Sequence, residues 1–432
     1  MRKRNYGGSL LLLGGVLLSC CSAQPQVIQN TPSATIQNTP PYTQQNNIAT
    51  RTLTPAAMVV PSMPTVTRAI PTLEIKHGVN QWFPVQIPRA QHTATILPNG
   101  RVLLIGGSLE PNDFVADEEL IDPKSGLSDF TAPLHTVRHG HTATLLQDGR
   151  ILVVGGYSLP GQWLSDAEIY DPVLDAWSVI PPLYPHGVNH TATLMQDGRV
   201  LVVGGTIASG YGSGTDRVEI FNPETSQWEV AAALDYPRAS HTAQLLEDGR
   251  VLIAGGGGDN DVPDGSDGLL YDPLTDSWKA TNPMVEPRHF GQSVRLSDGQ
   301  ILVVGGAIPN GPLGQLMTTS VEIYNPVTNT WSAAAPLTEA RYAFVLTLLP
   351  NGMVLAIGGA REWDSYWTDN SFVREIEMYD PRKNQWQILD ELPQPRAYAT
   401  GTLLPDGSVW IAGGQFGPSG ANFPPDTWLI VP

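Results

Sequence analysis

The stretch from His141 to Gly156, HTATLLQDGRILVVGG, decides the fold of this chain because it recurs along the sequence. Close copies are HTATILPNGRVLLIGG from His92, HTATLMQDGRVLVVGG from His190 and HTAQLLEDGRVLIAGG from His241. The diglycine that ends the motif begins at Gly106, Gly155, Gly204, Gly255, Gly305, Gly358 and Gly413, at intervals of 49, 49, 51, 50, 53 and 55 residues. This period predicts seven repeats of one small structural unit.

Each repeat is expected to form four antiparallel strands, a to d. Strand a is the HTATLL segment, and the Asn-Gly or Asp-Gly that follows it predicts a two-residue type I′ turn. Strand b, ILVVGG, is an unbroken apolar run and should be buried on both faces. In repeats two to six, strand c carries an aromatic residue before Asp-Pro or Asn-Pro, whereas the first repeat has Ile121 there. Strand d opens with a Trp that we expect to pack between repeats: Trp177, Trp228, Trp278, Trp331 and Trp386.

The two ends of the array complement each other. The C-terminal PDTWLIVP supplies strand c of the seventh repeat but no strand d, whereas GVNQWFPVQIPR around Trp82 is a strand d with no repeat before it. Residues 77–86 are therefore expected to complete the seventh repeat and close a ring, which removes exposed sheet edges. The diglycine, aromatic and Trp pattern resembles the kelch-repeat family of the galactose oxidase/kelch-like superfamily. The resemblance implies an all-β, seven-bladed kelch-type β-propeller over residues 76–432.

The first 75 residues have a different composition. MRKR and SLLLLGGVLL are the basic and apolar regions of a signal peptide, and the apolar region is too short to span a bilayer. LLSC resembles a bacterial lipobox, which implies a lipoprotein signal peptide over 1–19 and lipid attachment at Cys20; the alternative is an ordinary secretory signal. Residues 20–75 are rich in Gln, Asn, Thr and Pro and are expected to be a disordered spacer. The expected location is the bacterial cell envelope or surface, with the protein held by its lipid.

Composition excludes several kinds of function. The formal net charge is -17, so the surface should repel nucleic acid and anionic lipid, and membrane contact is expected only through the lipid. The copper radical chemistry of the galactose oxidase family needs a Tyr cross-linked to a Cys, and no Cys follows Cys21. We therefore predict no copper radical chemistry, no cofactor and no metal site. The expected state is a monomer.

The repeated histidines have two interpretations. His92, His141, His190 and His241 occupy one repeat position and could form a ring of imidazoles around the channel. The favoured alternative is structural, in which each His opens strand a and bonds the backbone of the neighbouring blade. In the same way, the Asp-rich segment GGGGDNDVPDGSDG, which ends near Asp267, is interpreted as a solvated turn rather than a calcium loop.

Candidate binding residues come from strand parity, which places the d–a and b–c connections on one face. The interval from the diglycine to the strand-c aromatic position grows from 14 residues in repeats one and two to 20 in repeat six. Variable loops on a rigid scaffold favour a binding site, and the loop of repeat six contributes Trp363, Tyr366 and Trp367.

The second candidate set is a basic residue three positions before strand a in six repeats. Its members are Arg89, Arg138, Arg238, Arg288, Arg341 and Arg396. Two roles stay open: a cationic ring at the channel mouth for an anionic ligand, or ties between strand starts and neighbouring carbonyls or carboxylates. The structural role carries somewhat more weight in the sequence, and the six arginines stand as candidate ligand-binding residues. Repeat three has Gly187 at this position, next to His186.

The functional prediction is a non-catalytic recognition module for an unidentified protein or carbohydrate ligand. The repeated arginines suggest that this ligand is anionic. Propellers host enzymes, adaptors and receptors alike, so the fold alone does not choose between them. The alternative function comes from resemblance to bacterial sialic acid mutarotases, which are exported kelch propellers with six blades as a family. No acid–base pair for such a reaction stands out in the sequence.

Overall fold

The structure is a computed structural model that describes residues 77–432, except 111–112, 159–161, 181–183, 209–213, 258–264, 310–314 and 364–366. The predicted signal peptide and spacer, including Cys20, lie outside the described residues. Within them the chain forms seven four-stranded antiparallel sheets, one for each repeat. Strand a of each sheet contacts strand a of the next, and sheet seven contacts sheet one in the same way. The fold is therefore the all-β seven-bladed propeller that the repeat predicts, with strand a innermost.

The strands of each blade are given in the order a, b, c, d. Blade 1 contains Thr93–Ile96, Val102–Ile105, Glu119–Ile121 and Ser128–Phe130. Blade 2 contains Thr142–Leu145, Ile151–Val154, Ala167–Asp171 and Ala176–Ile180. Blade 3 contains Thr191–Leu194, Val200–Val203, Val218–Asn222 and Gln227–Val230. Blade 4 contains Thr242–Leu245, Val251–Ala254, Gly268–Asp272 and Ser277–Ala280.

Blade 5 contains Gln292–Arg295, Ile301–Val304, Val321–Asn325 and Thr330–Ala333. Blade 6 contains Val345–Leu348, Val354–Ile357, Glu375–Asp380 and Gln385–Glu391. Blade 7 contains Thr400–Leu403, Val409–Ala412, Trp428–Val431 and Gly78–Gln81. Short hairpins in b–c loops pair Ser108–Glu110 with Asp113–Phe114, Tyr157–Ser158 with Gln162–Trp163, and Ala307–Pro309 with Gln315–Met317. The described part of the chain also has 3₁₀ turns at Asp369–Ser371 and Pro418–Gly420, and none of its helices has the length and apolarity to span a membrane.

The ring closes through the N-terminal strand, as predicted. Gly78–Gln81 pairs antiparallel with Trp428–Val431, from Gly78 opposite Val431 to Gln81 opposite Trp428. Trp82 follows this strand and is buried, and its indole Nε1 donates a hydrogen bond to the carbonyl of Pro123 in blade 1 at 2.7 Å. The first strand of the propeller thus ties its last blade to its first.

The a–b turns differ from the predicted type I′ geometry. In blade 1 the Gly100 amide donates to Leu97 O at 2.9 Å, and Leu97 N donates to Arg101 O at 2.8 Å. Only the Gly of each Asn-Gly or Asp-Gly pair has positive φ (+81° at Gly100), whereas type I′ needs positive φ at both residues. The connection is therefore a three-residue loop, a type I turn followed by a left-handed Gly. The Asn or Asp contributes by accepting from the backbone two residues on, as Asn99 Oδ1 does from Arg101 N at 3.0 Å.

Burial follows the sequence pattern: every strand b is fully buried. The inner strands a are mostly half-buried, and strand a of blade 5 exposes Gln292 and Arg295. The aromatic residue of strand c and the Trp of strand d face each other across the ladder, with ring centroids 5.0 Å apart for Tyr170 and Trp177. These rings pack against strand b of the preceding blade, where Tyr170 and Trp177 join Leu103 and Ile105 in one apolar cluster. The predicted role of the Trp residues between blades is confirmed.

The diglycine joins each blade to the next. The amide of its second Gly donates to a backbone carbonyl at the start of the following blade, for example Gly107 N to Arg138 O at 2.9 Å. All seven junctions have this bond, and Gly414 N to Arg89 O, at 2.9 Å, closes the ring. A Cβ on Gly106 would lie 2.3 Å from that Arg138 oxygen, so a larger residue cannot occupy the position. The glycines therefore permit the close approach of a neighbouring chain segment that the sequence predicts.

Candidate functional site

The six repeated arginines lie inside the blades, with 0 to 3 % of their surface exposed. In each of them Nη1 donates to the carbonyl of the first Gly of the same blade's diglycine, at 2.7–3.1 Å. The predicted ring of accessible guanidinium groups at the channel mouth is therefore wrong. A ligand in the channel cannot contact these side chains without displacing buried hydrogen bonds. The geometry corresponds to the second role that the sequence leaves open, a tie within the scaffold.

Most of these arginines are neutralised by a buried Glu on strand c of their own blade. Arg138 Nη2 donates to Glu168 Oε1 at 2.7 Å, and the Arg288–Glu322 pair has the same distance. Glu168 also accepts from the backbone amides of His135 and Thr136, at 2.8 and 3.1 Å. Each carboxylate thereby fixes the connection that leads from strand d into the next strand a. Arg341 pairs with Glu377 in the same way, and burial lowers the pKa of Arg341 although Glu377 opposes that effect.

Three blades replace a member of this pair. Blade 4 has Leu269 at the Glu position, and Arg238 binds Asp267 instead at 2.5 Å, which gives one residue of the Asp-rich segment a structural role. Blade 7 has Trp428 there, and the guanidinium carbon of Arg396 lies 5.9 Å from the centroid of that ring. Burial without a paired carboxylate lowers the pKa of Arg396 to about 10. Blade 3 keeps its carboxylate and replaces the arginine with His186.

The four repeated histidines form side-chain hydrogen bonds between neighbouring blades, which we call the histidine staples. Nε2 of each lies 2.8–3.0 Å from a Thr Oγ1 of the preceding blade: His92 with Thr400, His141 with Thr93, His190 with Thr142 and His241 with Thr191. Each His is 5 or 6 % exposed, and burial lowers the pKa of His92, His190 and His241 to about 3. The structural interpretation is correct, but the partner is a side-chain hydroxyl rather than the backbone. Where blade 5 has no His, Thr242 bonds Ser293 instead at 2.5 Å.

A second ring lies just before strand a and was not recognised in the sequence. One residue of each blade adopts a left-handed backbone with φ between +51° and +63°: Gln91, Gly140, Asn189, Ser240, Phe290, Ala343 and Tyr398. Amides of this ring donate to carbonyls of the preceding blade's member at five of the seven junctions, for example Gly140 N to Gln91 O at 3.0 Å. We call it the left-handed ring. Non-Gly residues in this conformation are strained, so the surrounding fold must hold them there.

All seven members of the left-handed ring line a cavity of about 660 Å³ on the propeller axis, which we call the axial funnel. Its lining divides into two arcs. The arc from blades 1, 3 and 4 presents the polar side chains of Gln91, Asn189 and Ser240. The arc from blades 5 to 7 presents Phe290, Tyr342, Tyr398 and Trp363. Trp363 stacks on Tyr342 with ring centroids 5.2 Å apart and planes at 22°.

The three aromatic candidates of the blade 6 loop have different positions. Trp363 is half-buried and lines the axial funnel, and its role in binding stays a prediction. Trp367 is 5 % exposed, packs on Phe372 at 4.8 Å and donates its Nε1 to the Glu362 carbonyl at 2.8 Å. Trp367 is therefore buried support rather than exposed binding surface. Tyr366 lies outside the described residues.

The axial funnel has no formal charge in its described lining. No Asp, Glu, Lys or Arg is among its lining residues, and its buried histidines are neutral because burial lowers their pKa. His139, which also lines it, has a pKa lowered by burial to about 4 and stacks on Phe114 at 5.2 Å. An uncharged wall cannot neutralise a carboxylate, so the lining suits a ligand without formal charge.

A metal centre is not assembled from the described side chains. Within those residues, no three His, Cys, Asp or Glu side chains come close enough to hold a metal ion. Four of the histidines that line the axial funnel, His92, His141, His190 and His241, use Nε2 in the staples to Thr hydroxyls.

Two protein-family models match the chain. The Attractin/LZTR1 beta-propeller matches residues 87–307, just over half of the chain. The chain belongs to this family. The kelch motif also matches, over residues 288–338, so the repeats are kelch repeats.

Curated relatives share single stretches of this kelch propeller. The F-box/kelch-repeat protein OR23 of Arabidopsis thaliana is 29% identical over 114 residues, which is 24% of this chain and 26% of that protein. Kelch-like protein 25 of Xenopus tropicalis is 35% identical over 97 residues, 22% of this chain and 15% of that protein. The matches thus span about a quarter or less of the length of these relatives, which supports the repeat and not a shared activity.

Solved structures show the same fold at low identity. A fungal alcohol oxidase of the AA5 family, in complex with copper, superposes with a TM-score of 0.64 and 18% identity over 82% of this chain and 75% of that one. YjhT has a TM-score of 0.53 and 17% identity over 71% of this chain and 98% of its own. At this identity the likeness concerns the fold alone.

Proposed function

We propose that this kelch propeller is a non-catalytic recognition module that binds an uncharged saccharide in the axial funnel. The observation that carries the proposal is the division of the left-handed ring into a polar arc and an aromatic arc around an uncharged cavity. The flat rings of Phe290 and Trp363 suit the apolar face of a sugar. The amides and hydroxyl of Gln91, Asn189 and Ser240 suit its hydroxyl groups. Apolar walls with a few placed polar groups are typical of small-ligand sites.

A protein ligand is the competing occupant, and the kelch repeat supports it, since the curated relatives are kelch-like proteins. Both occupants can be tested in one screen of neutral oligosaccharides, acidic oligosaccharides and peptides. The proposal expects saturable binding of neutral saccharides without turnover. A preference for acidic saccharides or for peptides would contradict it, and chemical conversion of a bound sugar would identify an enzyme.

Trp363 provides the site-specific test. Trp363→Ala should weaken binding of the best neutral saccharide from the screen by about tenfold, because it removes an aromatic platform. The matched control is Tyr236→Ala, which changes an exposed ring outside the described funnel lining. Equal affinities of wild type and Trp363→Ala, measured by titration calorimetry, would place the ligand elsewhere.

The proposed location is the bacterial cell envelope, with the propeller attached through a lipid on Cys20. The support is the LLSC segment after a short apolar region and the Gln, Asn, Thr and Pro composition of the residues that follow. Intact-mass analysis of the native protein should show acyl chains, and Cys20→Ala should release it from membranes. An unacylated mass would contradict the attachment.

A further inference from the structure

His186 occupies the place that arginine takes in the other six blades. Its Nδ1 lies 2.7 Å from the carbonyl oxygen of Gly204, the first Gly of the blade 3 diglycine. Its Nε2 lies 2.8 Å from Oε2 of Glu219, the strand-c carboxylate of the same blade. They correspond to two of the partners that Arg138 has in blade 2, namely Gly155 O and Glu168. We call this contact between His186, Gly204 O and Glu219 the joint of blade 3, and the Arg contacts at the same place in the other blades their joints. The imidazole is 1 % exposed and Glu219 is 3 % exposed, so water does not reach the joint.

Counting donors and acceptors fixes the number of protons in this joint. The Gly204 carbonyl can only accept, so Nδ1 must carry a hydrogen. An ionised Glu219 can also only accept, so Nε2 must carry a second one. If the imidazole is neutral instead, the hydrogen between the two groups must lie on Glu219. In both cases one proton is held between Nε2 of His186 and Oε2 of Glu219. Its removal leaves the lone pair of Nε2 facing the buried carboxylate of Glu219, with no hydrogen bond between them.

We propose that the proton shared by His186 and Glu219 controls the order of the blade 3 wall of the axial funnel. An arginine keeps its proton throughout the physiological pH range, so the joints of the other blades stay closed there. The joint of blade 3 can open as the pH rises. The shared proton follows from the contacts alone, whereas its effect on ligand binding rests on the function proposed for the axial funnel.

The chain connects the joint to the axial funnel within three residues. Gly187 follows His186 and has φ of +56°, and the next residues, Val188 and Asn189, line the funnel. The left-handed ring is also weaker here, because among the described residues Asn189 N makes no bond to the blade 2 member, unlike five other junctions. The wall of blade 3 therefore has His186 as a support beside the two backbone bonds between Val188 and Thr206 and the bond from Ser240 N to Asn189 O.

The other titratable and charged groups near His186 come from three elements. His190, at the start of strand a, has its ring centroid 5.8 Å away, and its pKa is about 3 because of burial and then the charge of His186. His241 of blade 4 faces Gly204 and is neutral for the same reason of burial. Arg217 of the b–c loop stacks on the Tyr184 ring at 4.1 Å. Glu219 is the group that bonds the imidazole.

Hydrogen–deuterium exchange of the full chain without ligand tests the proposal. We expect the backbone amides of 184–192 to lose about tenfold in protection once the pH is high enough to remove the shared proton, after correction for intrinsic exchange. Glu219→Gln should abolish this loss, because the amide can donate to Nε2 of a neutral imidazole. The control is His135→Gln, since His135 Nδ1 binds Glu168 at 2.9 Å in a blade that keeps its arginine. It should retain the wild-type profile.

Two results would overturn the proposal. One is a protection of 184–192 that does not change with pH in the wild type, or that changes equally in Glu219→Gln. The other is a ¹⁵N spectrum of the wild type in which His186 has an unprotonated Nε2 while Glu219 is ionised at low pH. Because both measurements omit the ligand, a failure here is separate from a failure of saccharide binding.

Discussion

Two rings, each with one position per blade, lie two residues apart in the sequence just before strand a. One is the position of the six repeated arginines, here called the arginine ring, and the other is the left-handed ring. The arginine ring has one residue type in six blades, is buried and bonds only its own scaffold. The left-handed ring has seven different residue types on one shared backbone conformation, and it lines the axial funnel. Repetition in this propeller therefore indicates a structural role, while variation at a fixed backbone position indicates the surface available for recognition.

The largest effect is expected from breaking the arginine ring. Arg341→Ala leaves Glu377 as an unpaired buried carboxylate, and the free energy of unfolding should fall by about 3–5 kcal/mol. Arg361→Ala is the control, because its side chain is 35% exposed and its ion pairs are 3.7 and 4.0 Å long. Denaturant unfolding measures both variants. A loss below about 1 kcal/mol for Arg341→Ala would mean that the buried pair is dispensable.

An intermediate effect is expected from acid, through the histidine staples. The folded-state pKa of His92, His190 and His241 is about 3, below the ordinary 6.5, so the unfolded chain binds more protons between these values. Stability should therefore fall as the pH is lowered below about 6.5. His190→Gln should reduce the slope of unfolding free energy against pH by about 1.4 kcal/mol per pH unit in that window. An unchanged slope would show that His190 is protonated in the folded state.

The smallest effect on stability is expected in the left-handed ring. Ser240→Gly and Gln91→Gly retain a residue that accepts positive φ, as Gly140 does in blade 2, so the free energy of unfolding should change by less than about 0.5 kcal/mol. Both variants should nevertheless lose affinity for a neutral saccharide. A large loss of stability with unchanged affinity would reverse the roles assigned to the two rings.

The sequence permitted a nearly complete prediction of the fold and only part of the site. Diglycine spacing predicted seven blades, and the unmatched Trp82 strand predicted the closure onto the C-terminal strand, which the pairing of Gly78–Gln81 confirms. Trp363, a candidate binding residue, lies in the lining of the axial funnel, whereas the arginines, also candidates, are buried in the scaffold. Their burial depends on Glu168 and its equivalents, which lie about 30 residues away and face them only after the blade has folded.

The left-handed ring was missed for a similar reason. A signal was present, since the residue two positions after each arginine, or after Gly187 in blade 3, is aromatic in blades 5 and 7 and polar in blades 1, 3 and 4. Its importance, however, comes from a backbone conformation that neighbouring blades impose. The type I′ expectation failed because Asp-Gly is compatible with more than one hairpin turn, and the strand register, not the dipeptide, selects among them.

The sequence by itself determined the number of blades, the inner and outer strands, the residues between blades and the way the ring closes. These features depend on periodicity and on local chemistry, which are written residue by residue. Only the tertiary structure decided which polar side chains are buried and which face the channel. That distinction depends on contacts between residues far apart in the chain, such as the Thr93–His141 staple and the His186–Glu219 joint, and no local pattern records those contacts.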